Sequence, residues 1–552
     1  MAGLSLGYKI YNPYLVAAVA TMGGMLFGFD ISSVSAFQGQ GYYENFFMNC
    51  NSCNTALRQS GITSAMPGGS FLACLFSGYV SDRWGRKFVI QLSALVWMIG
   101  AAIQSSSQNL TQLIFGRLIA GVAIGLSSSQ VPVYLSELSP KFIRGRIVGF
   151  FQWSVTWGIL IMFYISYGCS KINGNGGWRL AWGLQIVPGL CLFIGTLFLD
   201  ESPRWLATKD RWDEALHIVA MVQSKGDKDS DAVRIEIEEI KEAVRLEHNA
   251  KVGIKEMFTG AVNIRRSFVG IFTQIWQQLT GMNVMMYYVV KVFEMSGYSN
   301  STNTVLVASS IQYVINVLMT IPALLWIDRW GRRPLFIYGA LIMCVWLFTQ
   351  VGLFGAYSVP TGPDGYTPPP SAQFPNPKPD SSVMIRIPPE HKAASRAIIA
   401  VCYLFVATFA TTWGPSGWIY CAEIFPMEQR ATGNSMCAAA NWIFNFAIGM
   451  FTLPGFQNIT YRTYAIYGSC CFAMAIHVFL MFPETKGRTL EEVDLLFKSD
   501  CPAWKSAKWE PAFIPNIDDI KAVNGGRAPS LKGATEIDHS EEVDSTPSDA
   551  EK

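Results

Sequence analysis

Charge is scarce in this chain. Asp, Glu, Lys and Arg make up 15% of its 552 residues, where a soluble protein of this length carries about 25%. So few ionic groups cannot cover a water-facing surface. The two signs nearly cancel, 42 Lys and Arg against 40 Asp and Glu, and no basic stripe of useful length is present. Nucleic-acid binding is excluded on that ground. Histidine is thin as well, with five residues scattered at 217, 248, 391, 477 and 539. There is no Walker loop, no Gly-x-Ser-x-Gly with triad partners and no metal-ligand cluster. The sequence therefore offers no enzyme chemistry, no cofactor site and no metal centre. The twelve cysteines are mostly embedded in apolar runs, where they act as small apolar residues. Cys50 and Cys53 stand in a polar stretch, where a disulfide is open and the spacing argues against zinc. No basic leader precedes the first apolar run, so a cleaved secretory signal is not expected.

What the chain has in plenty is apolar runs. Half of its residues are hydrophobic and the mean hydropathy is +0.25. Runs of about 20 residues, the length that crosses a bilayer, recur at 13–37, 59–80, 88–105, 110–136, 147–168, 178–199, 267–294, 302–327, 334–357, 395–421, 433–453 and 462–482. Lipid gives no partner to a free backbone N–H or C=O, so continuous runs of this kind must be helices. The expected fold is an all-α membrane protein of twelve transmembrane helices. The short loops set its sidedness. Arg83, Arg86 and Lys87, then Lys141, Arg144 and Arg146, then Arg329, Arg332 and Arg333 all fall on one side, which is therefore cytosolic along with both termini. Three glycosylation sequons, Asn109, Asn300 and Asn458, all fall on the other side.

Residues 200–263 break the pattern. They are rich in Glu, Lys, Arg and Asp, with Ile235, Ile237, Ile240 and Val244 at helical spacing, and read as cytosolic linker helices. Motifs repeat across this divide in the same order. DRWGRK at 82–87 returns as DRWGRR at 328–333. Glu137-x-x-Pro140-x-x-x-Arg144 returns as Glu423-x-x-Pro426-x-x-x-Arg430. Asp200-Glu201-Ser202 returns as Pro483-Glu484-Thr485. The chain is expected to contain two pseudo-symmetric six-helix bundles with a substrate path between them. In order, the parts are an N-terminus (1–12), a first bundle (13–199), the linker (200–263), a second bundle (264–482) and a mostly disordered cytosolic tail (483–552). The proline-rich stretch 358–393 is expected to be an outward loop without regular structure.

With GRLIAGVAIG at 116–125, VPVYLSELSP at 131–140, ESPRWL at 201–206, QQLTGMNVMMYY at 277–288 and PETKGRTLEE at 483–492 added, the chain resembles the sugar porter family of the major facilitator superfamily over about residues 10–495. GFDISSVSAF at 28–37 and ATTWGP at 410–415 are similar to the fungal high-affinity, proton-coupled hexose transporters. The resemblance implies the major facilitator fold and alternating-access transport of a glucose- or xylose-type sugar across the plasma membrane by a monomer.

A monosaccharide presents neutral hydroxyls that both donate and accept, and a C–H face that suits an aromatic ring. Polar side chains in a bilayer span are costly and call for a reason. Gln152, Gln277, Gln278, Asn283, Asn316 and Asn441 supply neutral amides within the runs, with Asn445 nearby, and Trp413 and Trp418 supply indoles. For any one amide, gluing helices together is an equal reading; for the set, a sugar site is the better one. The resemblance assigns each of the six amides and Trp418 to substrate, and Tyr287 and Tyr288 to an outer gate. It also marks a departure: many sugar porters carry an acid at the position of Ala410. Gly414, Pro415 and Gly417 are expected to break the tenth run.

Asp30 is the only acid deep in the first run, and Arg117 is a lone base near the start of the fourth. A buried carboxylate that gains and loses an Arg partner turns protonation into motion. The resemblance implies a proton-coupling role for this pair, so the expected partners are a monosaccharide and a proton. Asp82, Arg86, Glu137, Arg144, Asp328, Arg332, Glu423 and Arg430 are similar to the family's inner salt-bridge network, which gates the cytosolic side. Two other outcomes stay open at this level, a proton-independent facilitator and a sugar sensor.

Overall fold

The structure, a computed structural model, describes residues 9–35, 37, 41–47, 55–140, 142–248, 256–297, 302–360, 384–499 and 501–510. The expectations for Cys50 and Cys53, for Lys141 and Asn300, for 361–383 and for the tail beyond 510 lie outside the described residues.

The first apolar run is two helices, α1 (Pro13–Ala20) and α2 (Met22–Ser35), joined at Thr21. Asn12 accepts from Tyr14 N at 2.9 Å and Pro13 opens the first turn, a cap and a preset φ in succession. After α3 (Gly41–Phe47) come α4 (Thr55–Trp84), α5 (Arg86–Ser105), α6 (Leu110–Leu138) and α7 (Arg144–Cys169). The sequon residue Asn109 caps α6 by accepting from Gln112 N at 2.8 Å. The sixth run steps at Gln185 between α8 (Gly176–Leu184) and α9 (Ile186–Leu197). The polar insert forms α10 (Pro203–Thr208), α11 (Trp212–Ser224) and α12 (Asp231–His248). Their apolar stripes share a small core of Ala207, Val219, Ile237 and Ile240.

The seventh run is not one helix but three, α13 (Ala261–Leu279), α14 (Met282–Tyr287) and α15 (Val289–Met295). It starts earlier than apolarity suggests because Arg266 finds Asp494 at 2.5 Å. Gly281, at φ +85°, breaks it. The rest follow as α16 (Thr302–Trp330), α17 (Arg332–Tyr357), α18 (Lys392–Thr411), α19 (Trp413–Ile424), α20 (Arg430–Asn458) and α21 (Arg462–Met481). The tenth run breaks at Thr412, ahead of Gly414 and Pro415. Proline tolerates the first turn of a helix, where its missing N–H has no partner to lose, so the break falls in front of it. Strands β1 (Val359–Pro360) and β2 (Ile385–Arg386) pair antiparallel, giving the ends of the expected loop some regular structure. Beyond 483 the chain is also ordered at first. α22 (Leu490–Lys498) opens on a Thr489–Glu492 capping box, and a 3-10 turn (Ala503–Lys508) follows.

Among the described residues, ten helices or helix pairs are long and apolar enough to cross a membrane. Of the twelve expected runs, α4 and the broken α13–α15 are not marked by length and apolarity alone. Leu72 and Phe76 on α4, Ile99 on α5, Val345 on α17 and Phe472 on α21 are exposed. Such a surface fits lipid and not water.

α4 lies between α6 and α20, α2 on α7, α13 on α20 and α19, α16 on α7 and α18, and α17 on α21. Between α4 and α6 the backbones nearly touch. A Cβ at Gly69 would fall 2.1 Å from Leu118 O, and one at Gly121 would fall 2.1 Å from Met66 O. Ser70 Oγ donates to Gly121 O at 2.8 Å. Lipid tails are as apolar as leucine, so close packing and hydrogen bonds of this kind hold helices together.

Candidate functional site

The amides on α13 meet those on α14 and α20. Gln278 Nε2 donates to Asn441 Oδ1 at 2.9 Å. Asn441 Nδ2 donates to Gln277 Oε1 at 2.9 Å and to Gln274 Oε1 at 2.7 Å. Asn283 Nδ2 donates to Gln278 Oε1. Gln277 Nε2 then reaches the carbonyls of Trp413 and Gly414, each at 3.0 Å. All five side chains are buried. Each neutral amide both donates and accepts, so hydroxyls can replace these partners one for one.

The other expected ligands stand around this network. Gln152 on α7 faces α19, its Cγ 3.6 Å from where a Cβ of Gly414 would be. Trp418 meets Phe151 edge-on, with centroids 5.2 Å apart. Asn316 on α16 is buried, makes no described bond to the network, and its Oδ1 has no partner among the described residues. Trp413 Nε1 is committed to Phe336 O at 2.9 Å. Gln274 was not anticipated. It lies one turn before Gln277 and Gln278 on the same face of α13, and that spacing was the available signal.

Asp30 on α2 and Arg117 on α6 form an ion pair at 2.6 Å, and both side chains are 0% exposed. Arg117 Nε also donates to Ile62 O on α4 at 2.7 Å. Attraction and desolvation nearly cancel in such a pair, but removing one member strands the other at a cost of about 3–5 kcal/mol. A proton on Asp30 has the same effect as removing its charge.

The charged helix ends carry two clusters built alike. In the first, Arg86 donates to Glu137 through Nε at 3.1 Å and Nη2 at 3.3 Å, and to Asp82 at 3.1 Å. In the second, Arg332 donates to Glu423 through Nε at 3.1 Å and Nη2 at 2.6 Å, and pairs with Asp328 at 3.0 Å. Ser202 Oγ donates to Glu137, and Thr485 Oγ1 to Glu423. Glu201 accepts from the backbone of Arg86 and Lys87 at 2.9 and 3.1 Å; Glu484 accepts from Arg332 and Arg333 at 2.9 and 3.1 Å. Each carboxylate thus sits on a helix N-terminus, where the dipole favours it. Gly85 (φ +103°) and Gly331 (φ +89°) make the tight turns into these helices. Ser202 and Thr485 were not anticipated as cluster members, although their place in the repeated motif was visible.

Fewer contacts cross between the clusters, and two of them are long. Arg430 Nη1 stands 3.9 Å from Glu137 Oε1. Arg146 N donates to Asp328 Oδ2 at 3.1 Å, and Arg144 Nη1 to Arg488 O at 3.5 Å. Just beyond, Gln130 Nε2 donates to Ser435 Oγ at 2.9 Å, and Trp442 Nε1 to Ser128 Oγ at 3.0 Å. Away from the charged end, Tyr287 OH donates to Asn445 Oδ1 at 3.2 Å and Tyr288 OH to Gly449 O at 3.0 Å, both fully buried.

The family described as sugar (and other) transporter matches residues 16–497. The high-affinity glucose transporter 1 of Candida albicans is 49% identical over 536 residues, covering 97% of this chain and 93% of its own. The high-affinity glucose transporter of Kluyveromyces lactis is 47% identical over 519 residues, covering 94% and 90%. Among solved structures, the proton:xylose symporter XylE bound to 6-bromo-6-deoxy-D-glucose is similar at a TM-score of 0.74 and 24% identity, covering 89% of this chain and 100% of its own; that likeness shows the fold. The protein is a multi-pass membrane transporter and not an enzyme. It belongs to the sugar porter family of the major facilitator superfamily, and is similar over nearly its whole length to fungal proteins named as high-affinity glucose transporters.

Proposed function

We propose that the protein imports a glucose- or xylose-type monosaccharide across the plasma membrane together with a proton, acting as a monomer by alternating access. In this reading the chain crosses the membrane twelve times, with α4 and α13–α15 supplying the two crossings that apolarity alone does not mark. The charged ends and both termini face the cytosol, as the Arg and Lys bias favours. Residues 13–199 and 264–482 are the two moving halves, and 200–263 links them on the cytosolic side. The matching Arg86–Glu137 and Arg332–Glu423 clusters support this division. The amides of α13, α14 and α20, with Gln152, Asn316 and Trp418, hold the sugar. The contacts of Arg430, Arg146 and Arg144 close the inner gate, and Tyr287 and Tyr288 serve the outer one.

One observation carries the proton coupling, the fully buried Asp30–Arg117 pair at 2.6 Å. Protonating Asp30 frees α2 from α6, so the two protonation states favour different packings. The names of the relatives support glucose, and that of the structural neighbour supports a proton with a pentose. The test is Asp30→Asn in proteoliposomes. Sugar-induced alkalinisation and uphill accumulation are expected to vanish while sugar exchange survives. Alkalinisation that persists in this variant, or wild-type uptake indifferent to a protonophore, would point to a facilitator instead.

A further inference from the structure

Asp30 and Arg117 have polar company inside the first half. Gln104 near the end of α5 and Gln185 at the α8–α9 step are both fully buried. Contacts made by α5 tie both glutamines to this region. A Cβ at Gly116, next to Arg117, would lie 3.0 Å from Gln104 Cγ, and one at Gly183 would lie 3.2 Å from Ser105 Oγ. Trp97 Nε1 donates to Gln185 O at 2.7 Å, so α5 passes Gln185 between its residues 97 and 105. Around these side chains several polar atoms have no hydrogen-bond partner among the described residues. They are Asp30 Oδ1, Arg117 Nη1, Gln104 Oε1, both ends of the Gln185 amide, and Trp182 Nε1. Trp182 lies one turn from Gln185 toward the proposed outer end, against Phe37 and Tyr43.

Buried polar atoms are rarely left unpaired, and a set contributed by several helices is normally satisfied by ordered water making about three hydrogen bonds each. We propose that Gln104, Gln185 and Trp182 form a water-binding chamber inside the first half, and that protons reach Asp30 through it by a route separate from the sugar's. The principal neighbours of α5 are α4, α6, α8 and α9, all in the first half, whereas the amide network lies on α13, α14 and α20. Of the other titratable groups on the helices packed against α2, Cys169 is buried at the last residue of α7 and the rest are engaged or face elsewhere. Glu137, Arg144 and Arg146 are at the charged end, Tyr134 OH donates to Asp200 O, and Tyr287 OH to Asn445. Tyr167 lies under Lys171, and Tyr164 and Cys191 are exposed. Of the neighbouring arginines, Arg58 donates to Phe47 O and Arg179 to Ser107 O.

The inference rests on Asp30 as the proton site, and the experiment separates the two. Gln104→Met and Gln185→Met keep side-chain length and remove the hydrogen bonds. Sugar-induced alkalinisation is expected to slow about tenfold, the upper worth of one ordinary hydrogen bond, while sugar counterflow at symmetric pH is unchanged. Gln185→Glu, which keeps polar atoms in place, is expected to recover the rate with an altered pH profile. A structural role alone would lower both rates together. If Asp30→Asn abolishes alkalinisation and neither methionine variant slows it, the chamber is wrong and the proton site stands. If Asp30→Asn leaves alkalinisation intact, the proton site itself is wrong. Hydroxyl-radical footprinting of the wild type by radiolysis needs no variant to fold. Trp182 is expected to be oxidised well ahead of Trp97, whose Nε1 is already bonded to Gln185 O; equal protection of both would also overturn the chamber.

Discussion

Arg430→Met tests whether charges that cross between the halves hold the inner gate. Arg430 Nη1 lies 3.9 Å from Glu137 Oε1, while Arg86 holds the same carboxylate at 3.1 Å from within its own cluster. At that separation the attraction is about 4 kcal/mol at an effective dielectric near 20. Desolvation offsets most of it, leaving about 1–2 kcal/mol net. Glu137 would not be stranded, because Arg86 and Ser202 remain. The loss therefore falls on the closed state rather than on the fold. About 1.4 kcal/mol multiplies the inward-open population tenfold. Ser435→Cys places a thiol just beyond the gate, at a buried residue bonded to Gln130 across the interface. In that background Arg430→Met is expected to speed alkylation from the cytosolic side about tenfold, over the slow labelling of native cysteines, with little change in melting temperature. Arg86→Met is the contrasting case. It takes from Glu137 its two-bond partner, leaving Ser202 and the 3.9 Å Arg430, costs up to about 3–5 kcal/mol of fold stability, and should sharply reduce the protein recovered from membranes. An unchanged alkylation rate in Arg430→Met would refute the idea that this crossing charge keeps the gate shut.

Three further outcomes follow from particular contacts. Gly281→Ala puts a Cβ at φ +85°, 3.0 Å from Tyr467 Cγ; it should cost about 1–2 kcal/mol in the left-handed conformation alone, read as a lower melting temperature. Gly331→Ala places a Cβ 2.6 Å from Glu484 Oε2, and Gly85→Ala one 2.2 Å from Glu201 Oε2; both should push the carboxylate off its helix N-terminus and abolish surface expression alike, and a tolerant site in either would show the two clusters unequal. Asn316→Ala removes an oxygen that no protein group uses among the described residues, so it should spare the melting temperature and weaken sugar affinity about tenfold. Gln277→Ala, which also releases two α19 carbonyls, should lower both.

The helices were legible because a bilayer-length apolar run has few alternatives to helix. Their breaks were not. The Gly281 break needs a positive φ and a Tyr467 ring lying where a side chain would be, and neither is written locally. In the tenth run Gly414, Pro415 and Gly417 point to a break, but a proline three residues into a helix closes nothing, and the break settles just ahead of them at Thr412. The ordered α22 was missed for a different reason. Its apolar face, including Val493, Leu496 and Phe497, is too short to stand out against the surrounding polar residues. Amides such as Gln278 and Asn441 were legible because polar side chains in lipid demand partners. The repeated acids and bases were legible as a set, but their pairing was not. Arg86 with Glu137 and Arg332 with Glu423 are partners within one cluster, and only the folded helix ends decide which contacts cross from one cluster to the other.

That division of labour bears on how sugar and proton could be coupled without touching. A ligand shifts a two-state equilibrium only by its difference in affinity for the two states. In the proposed cycle, the sugar must therefore alter something that the proton also alters. α14 carries Asn283 into the amide network and Tyr287 onto Asn445, and it packs against α2, which carries Asp30. It is flanked by breaks at Gly281 and Tyr288, so it can move as a short rigid piece. A sugar that takes Asn283 from Gln278 acts on α14 from one side. A proton that releases Arg117 from Asp30 acts on α2 on the other. In that cycle the α2–α14 contact is where both free energies would act on one movement, which would let an ion pair and a neutral amide site belong to one machine.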